Sequence, residues 1–87
     1  MPYEIEYEFE IPITIIKDIL ENYNGSINIE ELVNKDENLI KRILLNYIIN
    51  KYLSNDLQFL EEKEFSDIIK NMKIEIKKKY FYVRIIL

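Results

Sequence analysis

Glu37-Asn38-Leu39-Ile40-Lys41-Arg42-Ile43-Leu44-Leu45-Asn46-Tyr47-Ile48-Ile49-Asn50-Lys51-Tyr52-Leu53 reads as one long helix. At 3.6 residues per turn its apolar side chains spread round nearly the whole circumference, and only Arg42, Asn46 and Asn50 make a consistent polar ridge. A helix apolar on all sides is either wrapped by its own chain or meets a partner. One apolar edge carries Leu39 and Ile43. Leu45, Ile49 and Tyr52 form a second side opposite it, and these three are the residues expected to bind a partner protein. The competing expectation is that residues 57–72 fold back and cover that side. Asp36, in the polar turn Lys35-Asp36-Glu37, stands where a helix N-cap belongs.

Upstream, Ile27-Asn28-Ile29 is open to two readings, a short strand or the entry to a short helix over Glu30–Asn34. Before it, Asn24-Gly25-Ser26 ends a helix from about Pro12 to Tyr23. The chain's one glycine supplies a left-handed cap, and proline suits the first helical turn. That helix gathers Ile13, Ile16, Ile19, Leu20 and Tyr23 on one side. Residues 3–10, Tyr-Glu-Ile-Glu-Tyr-Glu-Phe-Glu, alternate with period two and predict a strand with one aromatic-aliphatic face and one acidic face. Downstream, Ser54-Asn55-Asp56 is a turn, and residues 57–63 have no clear period. Glu64–Met72 predicts a helix with Phe65, Ile68, Ile69 and Met72 on one face. Lys73–Lys79 and Tyr80–Leu87 predict a hairpin turning near Lys78. The fold class is α+β. An N-terminal strand, three to four helices and a C-terminal β-hairpin make a small antiparallel sheet packed on the helices, in a single domain over residues 1–87.

The chain has 87 residues, a formal net charge of −4 and neither cysteine nor histidine. At this length the core is thin, and such domains often lean on a partner or a second copy. Without cysteine there is no disulfide framework. The opening Met1-Pro2-Tyr3-Glu4 has neither the basic nor the apolar region of a signal peptide, and no run is long enough to span a membrane. The expectation is therefore an intracellular protein, cytoplasmic or nuclear. Heavy use of Ile, Lys, Asn and Tyr without alanine reads as the codon bias of an AT-rich genome, a viral one included.

Side-chain chemistry narrows the function classes. Absence of His and Cys removes the usual general bases, nucleophiles and soft-metal ligands. Ser26, Ser54 and Ser66 sit at turns or helix starts, where capping is the ordinary role. One glycine cannot build a phosphate-cradling loop. Glu61, Glu62, Glu64 and Asp67 cluster at a helix start, which the helix dipole favours without any metal. Glu75-Ile76-Lys77 with Asp67 upstream is similar to the acid–acid–lysine pattern of restriction-type nucleases, but an E-x-K on a solvent-facing strand is usually a charged face. We expect no enzyme, no catalytic residue, no metal, no cofactor and no small-molecule substrate.

Charge is unevenly spread. Residues 1–40 hold ten acidic and two basic side chains, and residues 70–84 hold six basic and one acidic. Lys73, Lys77, Lys78, Lys79 and Arg84, interleaved with Tyr80, Phe81 and Tyr82, could form a nucleic-acid surface. The stronger expectation is that the acidic strand lies by the hairpin, with Glu4, Glu6 and Glu8 facing the lysines across the sheet.

Two family resemblances accompany these readings. Helix, Asn-Gly-Ser-Ile, short helix (Ile29–Asn34), turn and long helix (Glu37–Leu53), with a basic hairpin later, resembles a winged helix-turn-helix. The resemblance implies a transcriptional regulator that contacts DNA through Lys41, Arg42, Lys77, Lys78 and Lys79. Over residues 9–76 the chain also resembles the BTB/POZ and elongin-C group of ubiquitin-ligase adaptors. The matching stretches are Phe9-Glu10 with Thr14–Glu21, then Ile27–Leu32, Leu39–Tyr47 and Phe65–Ile74. That resemblance implies a scaffold binding other proteins through its helices. The reading preferred from the residues is a non-enzymatic interaction, adaptor or inhibitor module whose partner is another protein or a second copy of itself as a homodimer. The DNA-binding regulator is its alternative.

Overall fold

A computed structural model describes residues 5–24, 28–53 and 61–86. Its elements follow the order β1 (Glu6–Pro12), α1 (Ile13–Asn24), α2 (Ile29–Lys35), α3 (Glu37–Tyr52), α4 (Glu62–Asn71), β2 (Lys73–Ile76) and β3 (Tyr80–Ile86). The fold is a small α+β domain. The three strands form one antiparallel sheet in the order β1-β3-β2, so the C-terminal strand lies between the N-terminal strand and the other arm of the hairpin.

Local chemistry explains most element ends. Asn28 caps α2, its side chain accepting from the Glu31 amide at 3.1 Å. Ile29 thus opens a helix, which decides between the two readings left open there. Asp36 alone joins α2 to α3. Its own amide donates to the Leu32 carbonyl (2.8 Å) and closes α2, while its carboxylate accepts from the Leu39 amide (3.2 Å) and opens α3. The hairpin turns through Lys78-Lys79, closed by Lys77 N–H donating to the Tyr80 carbonyl (2.9 Å).

One boundary differs from expectation. Pro12 is the last residue of β1, in register with Tyr80, instead of the first residue of α1. A proline is tolerated at the end of an edge strand. The next amide, Ile13 N–H, donates to the Lys79 carbonyl at 3.0 Å and ties the strand–helix junction to the hairpin turn. The Gly25 cap and the turn at 54–56 lie outside the described residues.

One face of the sheet meets the helices. Ile11, Phe81, Val83 and Ile85 are fully buried there, in one cluster with Ile16 of α1, Ile40, Leu44, Leu45 and Ile48 of α3, Ile68 and Ile69 of α4, and Met72. Leu45 and Ile49 are thus core residues, 0% and 8% exposed. The expectation that they form a partner-binding face is corrected. Helix α4 packs against α3 on one side and β3 on the other, which covers that flank. Tyr52, the third of the set, stays about half exposed at 51%.

Candidate functional site: an apolar groove on α3

The side of α3 left open is the one carrying Leu39 and Ile43. These two residues, with Asn46, Tyr47, Asn50 and Lys51 of α3 and Ile19 and Leu20 of α1, line a groove of about 830 Å³. The spacing accounts for it. Positions 39, 43, 46, 47 and 50 fall within a third of a turn of one another, on the flank away from the buried 40-44-48 row. Leu39 is 38% exposed, and Ile43 and Tyr47 are half-buried. Asn46 and Asn50, four residues apart, run along the groove as an exposed amide ridge.

At the C-terminal end of the groove Lys51 is held among aromatic rings. Its Nζ donates to the Tyr47 hydroxyl at 3.0 Å and lies 5.4 Å and 5.5 Å from the Tyr47 and Tyr52 ring centres. The hydrogen bond to Tyr47, then the negative potential of the two phenols, raises the Lys51 pKa above the ordinary lysine value. The Tyr52 ring in turn stacks on Phe9 of β1 at 5.3 Å, and Phe9 on Tyr7 at 6.3 Å. An aromatic band therefore runs from the groove onto the edge of the sheet.

Three of the five residues expected to contact DNA are engaged in ion pairs. Lys41 is only 13% exposed and pairs with Glu37 at 3.1 Å. Arg42 pairs with Glu62 at 2.6 Å and lies over the Phe65 ring at 5.0 Å, so it fastens α4 to α3. Lys77 pairs with Glu75 at 2.9 Å, which lowers the Glu75 pKa and raises that of Lys77. Lys78 and Lys79 are exposed at the hairpin turn. A second, more polar concavity of about 740 Å³ lies beside them, with Lys17, Asn28 and Glu30 in its lining.

The outer face of the sheet carries the charge segregation seen in the sequence, with different partners from those expected. Glu6 pairs with Arg84, and the Tyr82 hydroxyl hydrogen-bonds to Glu8, which raises the phenol's pKa. The acidic strand lies beside β3, so it meets Arg84 and Tyr82, while Lys73 sits one strand further away, in register with Arg84. Asp67 is exposed on α4. Among the described residues no group of three or more carboxylates is arranged to hold a metal ion, and no helix is long and apolar enough to cross a membrane.

Comparison with family models, curated proteins and solved structures gave no match. Sequence reasoning found that α3 has two apolar sides and expected the one with Leu45 and Ile49, which is buried, to be the open one. The residues it missed are Ile19, Leu20, Leu39, Ile43 and Tyr47. The signal that could have found them is the Asn46–Asn50 ridge, because amides keep to water or to a partner and mark the flank the core does not take.

Proposed function

We propose that the chain is a protein-interaction module that takes an apolar helix of a partner into the groove between α1 and α3. The carrying observation is the open apolar flank Leu39, Ile43 and Tyr47 on the helix that also forms the centre of the core. Full burial of a large apolar side chain is worth roughly 1.5–3 kcal/mol, and Leu39, Ile43 and Tyr47, already partly buried, would each gain a part of that when covered. The amides of Asn46 and Asn50 lie in a line along α3 and do not converge on a point. That suits the length of a helix better than a compact small molecule.

The winged-helix alternative keeps some support from the helical order and from Lys78 and Lys79 at the hairpin turn. Against it stand the pairing of Lys41, Arg42 and Lys77, the net charge of −4, and an outward flank of α3 that is apolar where a DNA-reading helix needs cations. The BTB/POZ-like reading agrees on the class of partner and adds no residue.

Selection from a displayed library of amphipathic helices tests the proposal. Enriched helices should carry apolar residues at i, i+3, i+4 and i+7. Ile43→Glu should weaken their binding by about tenfold or more, the loss expected when a charge enters a dry contact. Lys78→Glu/Lys79→Glu should leave it unchanged. Failure to enrich any helix, together with low-salt binding of duplex DNA that Lys78→Glu/Lys79→Glu abolishes, would transfer the assignment to the DNA reading.

A further inference from the structure

We infer that the edge of β1 with no strand beside it among the described residues is a second docking site, which takes an extended segment of another protein with basic residues at alternate positions and apolar residues between them. In the order β1-β3-β2, β1 has a neighbour on one side only among the described residues. A strand in that position offers unpaired backbone N–H and C=O groups to an added strand. It is seven residues long, against four for β2 at the opposite edge.

The side chains beside that edge state what the added strand must carry. On the helix-facing side stand Tyr7 and Phe9, half-buried, with Ile5 at 53% and Tyr52 at 51% exposure, two of the most open large apolar side chains described. An incoming strand with apolar residues on that face would cover them. On the outer side stand Glu6, Glu8 and Glu10. Arg84 lies across from Glu8 and forms its ion pair with Glu6, so one guanidinium serves three carboxylates, and Glu8 and Glu10 are exposed. Lysine or arginine at alternate positions of the added strand would lie beside these two carboxylates.

The same charges exclude the nearest competitor. A second copy adding its own β1, parallel or antiparallel, would set glutamates beside glutamates on the outer face. β2 differs, because Glu75 is already paired with Lys77 and the exposed Lys73 leaves that shorter edge with a surplus of positive charge. The edge site rests on β1 and is independent of the groove, so either can fail without the other.

The test uses the full chain and fluorescent eight-residue peptides followed by anisotropy at low salt. A peptide alternating lysine and valine should bind. Its glutamate–valine counterpart should bind at least about tenfold more weakly, and Glu8→Gln/Glu10→Gln should cost the lysine peptide about the same factor. Methylating alternate backbone nitrogens of the lysine peptide should abolish binding and leave its charge untouched. Amide exchange in β1 should slow when the unmodified peptide is bound, and Ile43→Glu should change none of this. Equal binding of the methylated and unmodified peptides would mean charge adsorption only and overturn the inference, as would no binding by a folded chain. A dimer in light scattering that Tyr7→Pro abolishes would show a second copy on the edge and overturn it too.

Discussion

The two sides of α3 are made of the same residue types and stand in opposite environments. Ile40, Leu44, Leu45 and Ile48 are fully buried, whereas Leu39, Ile43 and Tyr47 border an open groove. Hydrophobicity does not distinguish them. What distinguishes them is what the chain places opposite: Phe81, Val83 and Ile85 of the central strand and Ile68 and Ile69 of α4 belong to the same cluster as the first row. In a domain of this size there is enough apolar surface elsewhere to wrap a central helix on one side. The surplus on the second side is the feature that asks for a functional explanation.

The comparison breaks most directly through stability. Leu45→Ala should cost about 2–5 kcal/mol in urea denaturation, the range for emptying a close-packed leucine site. A cost under about 1 kcal/mol would mean that Leu45 is not the core residue its burial implies. Next in size, Asp36→Ala should cost about 0.5–2 kcal/mol, the loss of a helix N-cap. Asp36 closes α2 through its backbone and opens α3 through its side chain, so this variant should loosen both sides of α3 together. Amide exchange should quicken at the N-terminal turn of α3, on the buried and open flanks alike. Smaller again, Leu39→Asn should cost no more than about 1 kcal/mol, because Leu39 is 38% exposed and part of its apolar surface is already in water. That variant should nonetheless weaken any helix held in the groove. A Leu39 substitution as costly as Leu45→Ala would erase the distinction between the sides.

Much of the fold was legible from pattern alone. Period-two alternation placed the two outer elements of the sheet, the Asp36 cap marked the start of α3, and apolar spacing placed α4 and the hairpin within about two residues. Pro12 was misplaced because proline is equally at home at a strand's end and at a helix's start. The site was half legible. The sequence established that α3 carries more apolar surface than one face needs. Which face stays open depends on where α4 returns, and that is fixed by contacts distant in sequence, such as Arg42 with Glu62 and Phe65. The charge asymmetry was legible as sheet pairing, but its partners depended on strand order. Placing β3 in the centre gave the acidic strand Arg84 and Tyr82 as neighbours and left the lysines beyond them.

The smallest expected effect tests the end of the open side. Lys51 is exposed, and its raised pKa reflects the bond to the Tyr47 hydroxyl, followed by the field of Tyr47 and Tyr52. A lysine whose folded pKa exceeds its unfolded value contributes stability that is fully present below the unfolded value. The contribution is lost as pH rises through the folded one. The stability difference between wild type and Lys51→Met should therefore hold steady from neutral pH up to about 10.4, the unperturbed lysine value, and shrink above it. Tyr47→Phe removes the hydroxyl and keeps the ring, so in that background the high-pH change should be smaller, though the cation over the aromatic faces remains. Urea midpoints for the four proteins of this cycle, measured on both sides of that pH, isolate the pair from the rest of the surface. A difference that persists unchanged above the lysine range would show that Lys51 acts only through packing its stem along the open flank. The groove would then end in an apolar wall rather than in a cation held for a partner.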